Sequence, residues 1–252
     1  ALTLYDKIGE QVKKANTLNN IGVLYKNLGE LEPALEYYWQ AFAVYEETGE
    51  RNNIGNTLSN IGTIQLLEGK YKEALLTLRQ SAESHREFKD NKGLGDVMVN
   101  LAELYRQQDE IAKGFAYLDS ARLLFESVSN LSGLAQVKST KAKLAMKIRR
   151  FDMAIGEASE ALKITEKVGL AGLQKETLEL LALAYEAQGS TEQAYFFYKQ
   201  FHNLSDSLND AEVRKEVHNS QMRHEIASQN LKIDTLEKDK KIERMAKYGF
   251  MG

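Results

Sequence analysis

Small residues recur along this chain at a spacing of 40, and this repeat constrains the fold more than any other feature. Gly or Ala occupies five equally spaced positions, and two further series of mostly small residues follow with the same period. The three series are Gly22, Gly62, Ala102, Ala142 and Ala182; Ala34, Ala74, Gly114, Ala154 and Ala194; and Ala41, Ser81, Ala121, Ala161 and Phe201. A period of this length is typical of stacked-repeat solenoids, most of which present a binding surface.

The small residues predict that each repeat is a hairpin of two closely packed helices. Helix axes approach to about 8–10 Å only where the side chains at the crossing are small. Glycines mark the turns within repeats (Gly29, Gly69, Gly189) and between repeats (Gly9, Gly49, Gly169). The chain is therefore predicted to be all-α, with a lone helix before Gly9 and helix pairs over residues 13–47, 53–87, 93–127, 133–167 and 173–205.

These series resemble the tetratricopeptide repeat family, whose pattern is a small residue and an aromatic in helix A, then Ala-x3-aromatic-x2-Ala in helix B. The matching residues are Gly22, Tyr25, Ala34, Tyr38 and Ala41, and later Ala182, Tyr185, Ala194, Tyr198 and Phe201. The resemblance covers about residues 1–205 and implies a right-handed superhelix of antiparallel helix pairs. The usual repeat has about 34 residues; the longer period is similar to that of kinesin light chains and bacterial quorum-peptide receptors.

Three regions are expected along the chain. Residues 1–20 match residues 41–60 in register, so residues 1–12 are interpreted as the second helix of a truncated repeat, and the chain as a fragment. Residues 13–205 are expected to form five repeats with the period described above. Residues 206–252 are expected to form a long terminal helix, either capping the solenoid or forming a coiled-coil linker.

The terminal region also resembles the linker of bacterial sensor proteins that carry tetratricopeptide repeats. In those proteins a Lys/Glu-rich helix leads to a membrane span and a histidine kinase or nucleotide cyclase. The resemblance implies a membrane span just beyond residue 252 and a periplasmic sensor region; without a span the region would be cytoplasmic. Ile226, Ile233 and Leu236 fit a heptad seam and predict a weak homodimer.

Composition and motifs argue against chemistry within this chain. The absence of Cys excludes disulfides, thiolate catalysis and Cys-based metal sites, and the net charge of −3 gives no reason to expect nucleic acid. His224–Glu225 opens a zincin-like motif, but Ser228 stands where the second His is needed. His85 is isolated, and a packing or surface role is expected. No enzyme activity, cofactor or metal is predicted.

The predicted binding site is a row of asparagines on the first helices of the repeats. Asn20, Asn60 and Asn100 recur with the period of the repeat, and Thr140 and Leu180 end the row, so binding should centre on the first three repeats. An Asn amide both donates and accepts hydrogen bonds, so a row of them can bind a peptide backbone whatever the peptide's side chains are. The family resemblance implies this use. The alternative is that these amides bond to the backbone of the neighbouring helix and only hold the stack together. The predicted groove residues are Asn16, Asn19, Asn20, Val23, Asn27, Asn56, Asn60, Thr63, Asn100, Glu103 and Arg106.

Two functions are consistent with these patterns. One is a protein- or peptide-binding sensor module of a bacterial signal-transduction protein. The other is a free-standing scaffold or co-chaperone-like adaptor, in which the terminal helix serves only as a cap. A membrane span and an output domain directly after residue 252 would favour the first.

Overall fold

The computed structural model describes residues 11–210, and these are helical apart from short turns. The first four predicted helix pairs end within two residues of the observed bounds, whereas the second helix of the fifth pair continues to residue 210. The predicted helix before Gly9 lies outside the described residues. The helices are α1 Gln11–Asn27, α2 Leu31–Thr48, α3 Arg51–Leu67, α4 Tyr71–Glu87, α5 Asn91–Gln107, α6 Ile111–Ser127, α7 Leu131–Lys147, α8 Phe151–Val168, α9 Ala171–Gln188 and α10, which covers residues 191–210.

A left-handed backbone residue ends each helix from α1 to α9, and these residues recur at a regular interval of half a repeat. At each turn a backbone N–H donates to the carbonyl five residues earlier, as Glu50 does to Tyr45 at 3.0 Å, which closes the helix end. The predicted glycine turns are confirmed at Gly29, Gly49, Gly69, Gly169 and Gly189. The other four left-handed residues carry side chains: Lys89, Asp109, Ser129 and Arg149, with φ between 52° and 60°.

Helices pair as predicted, and small residues permit the close approach. A Cβ added to Gly22 would lie 2.7 Å from the ring of Tyr38, and one added to Gly62 would lie 2.7 Å from Leu78. These distances are shorter than real carbon contacts, so a larger residue would require Tyr38 or Leu78 to shift or the paired helices to move apart. Ala34 and Ala154, on the second helices, are fully buried.

The helices form two rows along the solenoid. The first helices of the repeats (α1, α3, α5, α7, α9) form one row. Each of α1, α3, α5 and α7 packs against the second helix of its own repeat, and each of α3, α5, α7 and α9 packs against the second helix of the repeat before. The largest buried cluster extends from α3 to α7 and includes Leu78, Leu104 and Phe125. The described residues divide into two compact units, one ending at Lys199 and the other beginning at Gln200. The groove described below belongs to the first unit.

Stacked aromatic pairs join the two helices of every second repeat. The ring centroids of Tyr25 and Tyr37 are 5.4 Å apart. Tyr105 with Tyr117, and Tyr185 with Phe197, stack in the same way two and four repeats further on. The intervening repeats have non-aromatic residues at these positions, so the packing alternates although the helix lengths do not.

Candidate ligand-binding groove

Five of the predicted groove residues line one cavity on the row of first helices. Its volume is about 550 Å³. The five residues come from α1, α3 and α5 and are Asn19, Asn56, Asn60, Thr63 and Asn100. The cavity is also lined by Lys26, Ser59, His85, Gly93, Asp96, Val99 and Gln136. The lining is therefore mainly amides and hydroxyls.

The asparagine row is a set of hydrogen bonds between neighbouring repeats. The side-chain nitrogen Nδ2 of Asn60 donates to Oδ1 of Asn19 at 3.4 Å. Nδ2 of Asn100 donates to Oγ of Ser59 and to Oγ1 of Thr63, both at 3.2 Å. The acceptors are side chains on the preceding first helix, whereas the stack-holding alternative expected them to be backbone groups.

The other half of each amide remains available. Oδ1 of Asn60 and Oδ1 of Asn100 accept no hydrogen bond from the described residues, and both atoms are accessible to solvent. An accessible carbonyl oxygen accepts from a ligand N–H. The two asparagines can therefore stabilise the stack through nitrogen and contact a ligand through oxygen at the same time.

The remaining six predicted residues lie outside this cavity. Asn16 accepts a hydrogen bond of 2.6 Å from the hydroxyl of Tyr45, so its oxygen is engaged by the second helix of its own repeat. Val23 packs against the core cluster that includes Tyr38. Glu103 accepts a hydrogen bond of 2.8 Å from Nε of Arg106, and this contact raises the pKa of the arginine. Asn20 and Asn27 are exposed on α1.

The asparagine row ends after Asn100, as the sequence predicts, and the buried hydroxyl of Ser139 lies beyond its end. Thr140 and Leu180 are both largely buried. Ser139 stands one repeat after Val99 and two after Ser59, but its Oγ is buried and finds no partner within residues 11–210. Leu180 occupies the position from which Asn100 reaches Ser59, so no amide is available to Ser139.

His85, for which the sequence predicts a packing or surface role, also lines the cavity. Its side chain is 3% exposed, and Nδ1 lies 2.9 Å from Oδ2 of Asp90. Two glycines make room for the ring, since a Cβ on Gly93 would overlap the imidazole and one on Gly55 would lie 3.0 Å from it. Nε2 is buried with no hydrogen-bond partner among the described residues. The repeat register could have identified the position of His85, because Tyr45 and Phe125 occupy the same position in the adjacent repeats.

The charges near the cavity are few. Burial lowers the pKa of Lys26, whereas Asp96 is paired with Lys92 at 3.0 Å. Within residues 11–210 no three His, Asp or Glu side chains are grouped so that they could hold a metal ion. No helix in this range is long and apolar enough to cross a membrane. The proposed dimer residues Ile226, Ile233 and Leu236, together with the linker region from 211 onwards, lie outside the described residues.

Comparison with known proteins supports the repeat assignment. Residues 1–87 match the family model described as tetratricopeptide repeat. No curated protein sequence matches the chain. Similar solved structures include BtubC (BKLC) from P. vanneervenii, with a TM-score of 0.65 and 15% identity over 81% of this chain and 85% of that one.

Two further structures share the fold. A putative kinesin light chain from Podosopora anserina, described as having nearly identical TPR-like repeats, gives a TM-score of 0.55 and 15% identity over 78% of this chain and 97% of that one. A Rap protein complexed with competence and sporulation factor gives 0.55 and 15% over 79% of this chain and 66% of that one. At these identities the likeness establishes the solenoid architecture.

Proposed function

We propose that the cavity on the first three repeats binds an extended peptide segment of a partner protein, because residues 1–87 match the tetratricopeptide repeat model and repeats of this kind form protein-interaction scaffolds. The tetratricopeptide fold is typically non-catalytic, and we propose no reaction for this chain. The observation that carries the proposal is the pair of accessible Oδ1 atoms on Asn60 and Asn100 within one polar cavity.

Extended backbone is the ligand chemistry that fits this lining best. A peptide in extended conformation presents N–H donors and carbonyl acceptors along its length, and amide side chains match both. Asn56 and Asn19 add further amide groups to the same wall. The lining is largely uncharged, which favours contacts to backbone over contacts to a uniformly charged surface such as nucleic acid.

The structural relatives are consistent with this proposal. The Rap protein is described in complex with competence and sporulation factor. That solenoid resembles this one in fold at low identity, so it supports the class of ligand and not its sequence.

Affinity selection tests the proposal. A pooled library of random twelve-residue peptides is panned against the full chain, and the dissociation constant of an enriched peptide is measured for Asn60→Ala, Asn100→Ala and the double variant. Losing one hydrogen bond to a ligand should weaken binding by roughly five- to tenfold at each site. Asn27→Ala is the matched control, because Asn27 is exposed on α1 outside the cavity. Unchanged affinity in the double variant would place the ligand elsewhere.

We further propose that the binding module belongs to a bacterial signal-transduction protein; the free-standing scaffold is the competing hypothesis. Support comes from the resemblance of residues 206–252 to sensor linkers. A sensor that transmits through its linker should pair through Ile226, Ile233 and Leu236. Light scattering on the full chain and on a version ending at Asp210, with circular dichroism as a control for folding, distinguishes the two. If both versions are monomeric at high concentration, the scaffold hypothesis is favoured.

A further inference from the structure

The pocket that holds the ring of His85 recurs one repeat later, where it holds Phe125. Gly95 and Gly133 stand one repeat after the two glycines that make room for the imidazole, and a Cβ added to either would overlap the ring of Phe125. Phe125 is fully buried and has no polar atom in its side chain. An aromatic ring therefore packs at this position without a nitrogen, and packing alone does not account for the imidazole.

The second nitrogen of this imidazole is an acceptor that receives no hydrogen bond from residues 11–210. Oδ2 of Asp90 lies 2.9 Å from Nδ1 of His85, and an Nδ1–H that donates to it leaves the lone pair of the neutral ring on Nε2. The serines of α4 near this ring are engaged elsewhere. Oγ of Ser81 donates to a carbonyl of α3 at 2.7 Å, and Oγ of Ser84 donates to another at 3.3 Å. The missing donor must therefore come from outside these residues.

We infer that Nε2 of His85 accepts a hydrogen bond from the hydroxyl of a Ser or Thr side chain of the bound peptide. The inference rests on the proposed function, since it names a side chain for which the groove is selective. His85 lines the same cavity as Asn60 and Asn100, so a peptide bonded to their Oδ1 atoms runs along the wall that contains the ring. The asparagines contact backbone, whereas the imidazole nitrogen distinguishes between side chains.

The surroundings of the ring favour a small, neutral donor. The side chain of His85 is 3% exposed, so a bulky group does not reach it. A hydroxyl on a single carbon extends further into the wall than a backbone N–H, which is flanked by two Cα atoms. A cationic donor would be repelled by Lys26 in the same cavity, and a carboxylate has no proton to donate.

Peptide selection on the full chain tests the inference first. Among random twelve-residue peptides panned against it, we expect the enriched ones to carry Ser or Thr at one recurring position. Replacing that residue of the peptide by Ala should weaken binding by about five- to tenfold, the effect of one lost hydrogen bond. Enriched peptides without a recurring hydroxyl would overturn the inference.

His85→Phe provides the decisive comparison. The variant should fold, because the same pocket holds Phe125 one repeat later, and thermal unfolding checks this. It should bind the hydroxyl peptide and its Ala counterpart equally, so that the preference of the original chain is lost. Tyr45→Phe is the matched control, since Tyr45 occupies the same repeat position outside the cavity and donates to Asn16. If His85→Phe keeps the preference, the hydroxyl contacts another residue and the inference is wrong.

Nitrogen NMR of the full chain, labelled at its histidines, observes the contact directly. The resonance of Nε2, assigned by its absence in His85→Phe, should move when the hydroxyl peptide binds and should move less with the Ala peptide. Equal displacement by both peptides would show that the ring responds only to backbone binding. That result, or no displacement by either peptide, would overturn the inference.

The outcomes separate the inference from the proposed function. If Asn60→Ala weakens the binding of both peptides and His85→Phe leaves the preference intact, the groove is correct and the role of His85 is wrong. If neither variant alters the binding of either peptide, the ligand lies elsewhere and both proposals are wrong.

Discussion

Nδ1 of His85 lies 2.9 Å from Oδ2 of Asp90, while the other carboxylate oxygen of Asp90 accepts a 2.9 Å hydrogen bond from the backbone N–H of Gly93. One carboxylate therefore caps the first turn of α5 and orients the imidazole at the cavity. The position of the ring is coupled to the start of the helix that carries Asn100.

Asp90→Ala should destabilise the protein more than Asn130→Ala. Asn130 caps α7 through Gly133 at 3.0 Å, one repeat later, but has Phe125 where Asp90 has His85. Losing a cap costs about 1 kcal/mol in either variant. Asp90→Ala also leaves a buried imidazole nitrogen without a partner, which adds roughly 1 kcal/mol or more. Urea denaturation measures both, and equal losses would show that the His85 contact contributes nothing.

Arg149→Gly should stabilise the chain by about 0.5–1 kcal/mol. Arg149 is exposed with φ of 59°, a conformation that costs a residue with a Cβ roughly 1–2 kcal/mol. The greater flexibility of Gly in the unfolded chain offsets part of the gain. Gly169→Ala, at the next turn of the same kind, should lose about 1 kcal/mol. Thermal unfolding of the two variants tests the pair; a loss in both would mean that Arg149 makes a compensating contact.

Ala34→Leu should cost about 1–3 kcal/mol through overpacking, and so should Ala154→Leu. Both alanines are fully buried at helix contacts. Asn60→Ala should cost less than about 1 kcal/mol, because its single bond to Asn19 is 3.4 Å long and partly exposed. Chemical denaturation compares the three. Should Asn60→Ala prove as damaging as Ala34→Leu, the asparagine row is primarily structural.

Ser139→Ala and Ser81→Ala should change stability in opposite directions. The Oγ of Ser139 is buried without a partner within the described residues, so its removal should gain about 1 kcal/mol. The Oγ of Ser81 donates to the carbonyl of Gly55 at 2.7 Å, so its removal should lose about 1 kcal/mol. Both serines are buried in helices, which makes them a matched pair for calorimetry. Destabilisation by Ser139→Ala would indicate a bridging water.

The helix bounds followed from the sequence because they depend on local rules. Small residues at a fixed spacing set which helices can touch, and glycine sets where a helix can end in the left-handed region. The left-handed residues Lys89, Asp109, Ser129 and Arg149 could not be predicted in the same way, since Lys, Ser and Arg do not favour a positive φ and Asp does so far less than Gly. The hydrogen bonds of the turn and the packing of the next helix impose it there.

The groove was predicted less completely because spacing identifies a helix face and not a contact. Asn60 and Asn100 lie where the register of the repeat places them. Asn16 lies near the same face, yet its oxygen is bound by Tyr45. The ion pair of Glu103 with Arg106 likewise depends on the side-chain conformations that neighbouring residues allow. His85 came into the cavity because Gly55 and Gly93 leave space for its ring, which is a property of three helices together.

The asparagine row also has a direction. Asn60 donates towards α1 and Asn100 donates towards α3, so each amide nitrogen points to the repeat before it. A row of identical dipoles oriented the same way is not equivalent to its reverse. The groove should therefore favour one threading direction of a peptide over the other, parallel or antiparallel to the row, even where it makes no contact with a side chain.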